Sequence, residues 1–215
     1  MVTTTRSEPH PSPAPEVGGP VWAVARRFPF QGSWDDADYF DLDGDFPRFE
    51  LVDGQLVELP VPTELHQDLV DWLTRTLTDA LGRRHAYSSG YKLRIRNRVP
   101  RRRNDYRYPD VIASADRAGF GPDMATAATL VIEVLSPGAE NRDRDLREKR
   151  ADYAEAGVPE YWVVDPDART LLQLRLADGV YEEVGTFGVG ETVASTAARG
   201  VSVSVTDLFD GVAGD

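Results

Sequence analysis

The segment LVIEVLSP, from Leu130 to Pro137, constrains the fold more than any other part of the chain. Leu130, Val131, Ile132, Val134 and Leu135 form a nearly continuous apolar run, and such a run reads as a strand covered on both faces. Layers must then lie on either side of it, so a sheet with helices packed against it is the expected architecture. One residue interrupts the run. Glu133 places a carboxylate in the middle of the strand, where an unpaired charge would cost roughly several kcal/mol. The rest of the chain has to bring a cation or strong donors to it.

The flanking patterns supply the other elements. SWDDADYFDL predicts a short helix with Ser33 as its N-cap. In FELVDGQLVEL, Asp53-Gly54 predicts a hairpin with a type I′ turn, pairing Val52 with Gln55, Leu51 with Leu56, Glu50 with Val57 and Phe49 with Glu58. Glu50 then shares a sheet face with Val52, Val57 and Leu59, a second carboxylate among apolar neighbours. A helix capped by Thr63 is expected from about Leu65 to Leu81, because Leu65, Leu69, Leu73, Leu77 and Leu81 recur every four residues. His66 falls within that stripe. Strands are expected near 86–89, 91–96, 108–114 and 129–135, followed by a helix over about 142–156 ending at Gly157. The strand EYWVVD stops at Asp165-Pro166-Asp167, and short strands near 170–175, 180–184 and 201–205 close the fold. The sum is an α/β chain with a central mixed β-sheet flanked by α-helices, an N-terminal β-hairpin and C-terminal extra strands. Residues 1–30, rich in Pro, Ser, Thr and Gly, are expected to be a flexible arm, and 31–215 a single domain.

Composition narrows the function. The absence of cysteine excludes disulfides and thiolate metal sites. No stretch is apolar enough for a membrane span, and the N-terminal segment lacks a secretory pattern, so a cytoplasmic location is expected. A net charge of −12 argues against polyanion binding over the whole surface. It leaves room for a local track. In YKLRIRNRV, Lys92, Arg94, Arg96 and Arg98 mostly alternate with apolar residues, and Arg101, Arg102 and Arg103 extend the series. This stripe is either a solvated strand face that offsets acidic neighbours or a surface that follows phosphates.

Four residues carry candidate chemistry. Asp110 opens the strand of YPDVIAS, Glu133 interrupts the apolar run, Glu50 sits on the hairpin, and Lys149 lies on the helix NRDRDLREKRADYAEAG. Leu146, Lys149 and Tyr153 are spaced i, i+3, i+7, which directs the lysine along the inward stripe. Carboxylates and a lysine aimed at one region would bind a hard divalent cation, Mg²⁺ or Mn²⁺, and activate water. Each residue also has a structural reading: Pro109-Asp110 as a turn, Glu133 paired with a buried arginine, Glu50 on an edge strand, Lys149 extending to solvent, His66 as a core histidine.

FELVDG, PDV, LVIEVLSP and EKRADYAEAGVPEYWVVDP, in that order, resemble the Uma-two restriction endonuclease family of the PD-(D/E)XK phosphodiesterase superfamily. The resemblance covers about Trp34 to Asp167 well and the last fifty residues loosely. It implies a restriction-endonuclease-like core and Mg²⁺-dependent cleavage of DNA, with Mn²⁺ as a substitute. Asp110 matches the PD aspartate and Glu133 the second acid, both metal ligands; Glu50 matches an acidic hairpin residue that would orient water or bind a second ion. Leu135 stands where the superfamily pattern has lysine, so the resemblance moves that role to Lys149. His66 matches a histidine at the helix start. The stripe of Lys92, Arg94, Arg96, Arg98, Arg101, Arg102 and Arg103 would anchor DNA phosphates, and a homodimer would address two strands. The rivals are a catalytically degenerate fold that binds nucleic acid or a partner, and a Mg²⁺-dependent phosphoesterase acting on small substrates.

Overall fold

In the computed structural model, which describes residues 30–42, 49–88, 90–95 and 104–212, a short helix α1 (Asp36–Phe40) precedes the hairpin β1 (Phe49–Val52) and β2 (Gln55–Glu58). The long helix α2 (Glu64–Leu81) follows, then β3 (Ala86–Ser88), β4 (Lys92–Ile95), β5 (Asp105–Arg107), β6 (Val111–Ala113), β7 (Met124–Ala125) and β8 (Leu130–Val134). A helical stretch begins as α3 (Ala139–Asp143), widens into a π turn (Arg144–Glu148) and continues as α4 (Lys149–Glu155). Strands β9 (Glu160–Asp165), β10 (Thr170–Ala177), β11 (Val180–Gly188), β12 (Thr192–Ala194) and β13 (Ser202–Ser204) lead to α5 (Val205–Asp210). Most of the arm expected over residues 1–30, and Arg96, Arg98, Arg101, Arg102 and Arg103 of the basic stripe, lie outside the described residues. No described helix is long and apolar enough to cross a membrane.

The mixed α/β class expected from the sequence is what forms, with the strands divided between two main sheets. The larger runs β11-β10-β9-β8-β6-β3 and is antiparallel except for the parallel pair β8–β9, which the α3–π–α4 crossover connects. The smaller runs β2-β1-β5-β4-β7. All five residues of β8 are buried, as the apolar run required. Its Leu130, Ile132 and Val134 pack with Leu69, Val70, Leu73 and Leu77 of α2 and with the C-terminal elements. Its Val131 faces the other layer, with Tyr153 of α4 and Leu93 and Ile95 of β4. A strand sandwiched in this way has no wet face to which a carboxylate can turn.

Local chemistry explains the boundaries. Asp53 and Gly54 both have positive φ, 52° and 73°, as a type I′ turn demands, and the hairpin register is the expected one. Thr63 Oγ1 accepts from the His66 N–H at 3.2 Å and caps α2. The cap of α1 is Asp35 instead of Ser33: Asp35 and Asp38 exchange side-chain and backbone hydrogen bonds in a capping box. Leu65, expected on the apolar stripe, is exposed. The strand expected over 108–114 begins only at Val111, as β6 of the larger sheet, and β5, which was not expected, joins the smaller sheet across Tyr108-Pro109-Asp110. Proline has no N–H for a ladder, so pairing stops there.

Gly157 ends α4 with φ 72°, donating to Ala154 O at 3.0 Å while Val158 donates to Tyr153 O at 3.0 Å, the two bonds of a Schellman cap. No atom lies within 4 Å of where a Cβ would sit. Gly157→Ala should therefore cost only the left-handed backbone penalty, about 1–2 kcal/mol, read from urea unfolding midpoints. A neutral result would show that the cap does not hold the helix end.

Candidate active site

The register of β6 on β8 pairs Val111 with Ile132, which brings the preceding Asp110 beside Glu133. Asp110 Oδ2 accepts from the Val134 N–H at 2.8 Å, and Oδ1 lies 3.2 Å from His66 Nε2 in the first turn of α2. Glu133 meets α4. Lys149 Nζ is 2.9 Å from its Oε2, and the Tyr153 hydroxyl, one turn on, donates to its Oε1 at 2.5 Å. The partner that the apolar run demanded is thus a lysine and a phenol, not an arginine. Lys149 Nζ is also 3.2 Å from Asp145 Oδ1. His66, Asp110, Glu133, Arg144, Asp145 and Lys149 line one cavity of about 240 Å³, closed on its apolar side by Leu59, Pro60, Val61 and Pro62.

Charge in this cavity is out of balance. Burial pushes the Glu133 carboxyl well above its usual range; Lys149 opposes this, and Asp110 and Asp145 add to it. Burial raises Asp145 as well, against the pull of Lys149 and Arg144. Asp110 moves the other way: burial opposes ionisation, but the hydrogen bond and charge of His66, then Lys149 and the Val134 N–H, hold it low. Burial alone would lower Lys149; Glu133, Glu50, Asp145 and Asp110 raise it instead, so it stays an ammonium.

Of the five expected site residues, four converge: His66, Asp110, Glu133 and Lys149. Glu50 is set apart from them, though its charge reaches Lys149. It does not line the cavity, because Arg107 Nη1 reaches its Oε2 at 2.7 Å and the Tyr108 N–H its Oε1 at 3.0 Å. Burial opposes its ionisation, but Lys149, Arg107 and the Tyr108 N–H keep it low. Arg107 is itself buried, bonded also to Asp152 Oδ2 at 2.7 Å. The two described residues of the basic stripe alternate as expected with buried Leu93 and Ile95. Yet Lys92 is not simply a solvated phosphate anchor. Its Nζ lies over the rings of Phe40, Tyr39 and Tyr108 at 4.9, 5.1 and 5.8 Å, and burial lowers its pKa. Sequence reasoning missed Asp145, Arg144 and Arg107. The i, i+4 spacing of Asp145 and Lys149 was a readable signal; the π turn that places Arg144 on the same cavity was not.

Residues 36–206 match the family model described as "Uma2: Putative restriction endonuclease". The chain belongs to the Uma2 family. The crystal structure of a "putative nuclease belonging to DUF820" from Anabaena variabilis superposes with a TM-score of 0.64, over 86% of this chain and 99% of that one, at 16% identity. That likeness bears on fold. No curated protein matches the chain.

The donor set is compatible with a hard divalent ion. Among the described residues no three His, Asp or Glu side chains come together as a ready metal cage. Asp110 and Glu133 nevertheless adjoin, each of their oxygens accepts one donor, and a carboxylate oxygen has a second lone pair. Two carboxylates, with water and phosphate oxygens completing the shell, is the usual manner of Mg²⁺. Burial favours a proton on Glu133, and a cation bound beside it would take that proton's place.

Two outcomes follow. Glu50→Ala should cost about 1–3 kcal/mol in chemical unfolding, since it removes one of the two carboxylates bonded to buried Arg107 and leaves Asp152; a change under about 0.5 kcal/mol would deny Glu50 its structural role. Glu133→Gln should raise metal-free stability at neutral pH by about 0.5–2 kcal/mol. The sign follows from linkage: a carboxyl with a raised folded pKa holds a proton that the unfolded chain releases, so wild-type stability falls as pH rises above the unfolded value. Glu133→Gln should flatten that fall in thermal melts from pH 5 to 8, and an unchanged slope would place the surplus charge elsewhere.

Proposed function

We propose that the protein is a Mg²⁺-dependent endodeoxyribonuclease, with Mn²⁺ as a substitute, hydrolysing phosphodiester bonds in DNA. The observation that carries this reading is the convergence of Asp110, Glu133 and Lys149 on one cavity, where burial and two neighbouring acids raise the Glu133 carboxyl. Family membership supports a nuclease; the cavity suggests how it would work.

Asp110 and Glu133 would hold the ion. Bound there, it would supply Lewis acidity toward a phosphate oxygen and lower the pKa of a water. His66 fixes the Asp110 carboxylate from one side and the Val134 N–H from the other, so that ligand is oriented before substrate arrives. Tyr153 does the same for Glu133. Lys149, held as an ammonium by its acidic neighbours, is no proton acceptor. Its role is electrostatic: it orients the attacking water and offsets charge that builds on the phosphoryl oxygens. The apolar, largely solvent-exposed stretch from Leu59 to Pro62 would offer a sugar or base edge a surface beside the reacting phosphate.

The test incubates supercoiled plasmid, duplex oligonucleotides and a small phosphodiester with wild type, Asp110→Asn, Glu133→Gln and Lys149→Met, in Mg²⁺, Mn²⁺ or chelator. DNA cleavage should require the metal and fall by about 10²–10³ or more in each variant. Equal cleavage by wild type and Glu133→Gln would sink the nuclease reading. Turnover of the small ester alone would point to a phosphoesterase instead.

A further inference from the structure

Among the described residues, buried His66 Nδ1 and Arg144 Nε, both of residues lining this cavity, have no hydrogen-bond partner, and Asp145 Oδ1 has only the Lys149 ammonium, 3.2 Å away. Buried donors and acceptors are nearly always satisfied, so their clustering marks a place where something else is meant to bind. Arg144 stands out. Its side chain is only 15% exposed, and its nearest acid, Asp145 Oδ1, is 3.8 Å from Nε, beyond hydrogen-bond reach. Other arginines nearby are satisfied: Arg142 holds Asp165 at 2.6 Å, Arg150 holds Tyr181 O at 2.7 Å, and Arg107 holds Glu50 and Asp152.

The backbone accounts for the position. In an α-helix, residues five apart lie roughly 140° apart around the axis. In the π turn the Lys149 N–H bonds the Arg144 carbonyl, i to i+5, which stacks the two residues and puts both on the cavity wall. Arginine and lysine then face one space, beside two carboxylates that would hold a cation. A guanidinium with free donors in such a place matches the paired oxygens of a phosphate group.

We infer that Arg144 is the phosphate-binding hand of this site, taking the non-bridging oxygens of a phosphodiester beside Asp110, Glu133 and Lys149. The inference rests on the nuclease reading for the identity of the ester, but not for the binding of the anion.

The experiment follows the Arg144 Nε–Hε resonance in full-length ¹⁵N-labelled protein during titration with inorganic phosphate and, separately, with a dinucleoside phosphodiester. It also measures the affinity of a short duplex across NaCl concentrations in chelator, for wild type, Arg144→Gln and Arg144→Lys. The resonance should shift with the phosphodiester. Arg144→Gln should weaken duplex binding about ten- to hundredfold and reduce the salt slope by about one. Arg144→Lys should keep the slope but lose affinity, because it lacks the fork. A shift with phosphate alone would support the hand and make a terminal phosphate its ligand. No shift with either probe, or unchanged duplex affinity in both variants, would overturn it. The two readings fail separately. Cleavage of DNA with unaltered binding in Arg144→Gln would remove Arg144 and keep the nuclease; phosphodiester binding through Arg144 without cleavage would do the reverse.

Discussion

The ion pair between Glu133 and Lys149 is the contact on which the rest of the site depends. A carboxylate in the middle of a strand buried on both faces is tolerable only if donors reach it through one of the packed layers. They come from the crossover that any parallel pair needs, here the helical stretch between β8 and β9. Once Lys149 is committed to Glu133, the helix register is set. Tyr153, one turn along, falls on the same carboxylate, and the Gly157 cap closes on the Tyr153 carbonyl. Asp110 arrives from the other side because the chain breaks at Pro109 and restarts beside Glu133.

Three fully buried glutamates show three solutions to the same problem, and the comparison separates structure from function. Glu160 has no cation; it accepts from Trp162, Gln173, Ser195, Thr196 and Ala197, a closed shell of neutral donors that ties β9 to the segment after β12. Glu50 has an arginine of its own and a backbone N–H. Both are satisfied and neither faces the cavity. Glu133 alone faces it, shares its lysine with Asp145 and sits next to Asp110, so its charge is under-compensated. Under-compensation in a cavity is the mark of a group that works on something else.

Much of this was legible in the sequence. An apolar run with one acid announces a buried strand and a paired charge, and Asp-Gly flanked by alternating residues announces the hairpin to its register. What escaped depends on departures from regular periods. The Arg107 partner of Glu50 was not readable, because alternation reports the face of a strand but not which neighbour fills it, and Arg107 lies 57 positions away. Arg144 escaped because a helical wheel assumes 100° per residue throughout, whereas the π turn adds a residue to one turn; Asp145 could have been read from its i, i+4 spacing to Lys149. Glu160 looked like an ordinary strand start, and its donors come from segments far along the chain.

The π turn itself is an argument about selection of structure. An uninterrupted α-helix from Ala139 to Glu155 would have better backbone geometry, and nothing in NRDRDLREK forbids it, since the stretch contains neither glycine nor proline. Such a helix would turn Arg144 away from Lys149 and leave the cavity wall without its guanidinium. The irregular turn keeps three charged groups, Arg144, Asp145 and Lys149, on one side within six residues, at the expense of a less favourable hydrogen-bond pattern and of polar atoms left without partners. Local rules that fail together at one place, in backbone period, charge balance and hydrogen bonding, are hard to explain by the needs of folding. They fit the proposed reading, in which the missing partners are a cation and an anionic substrate.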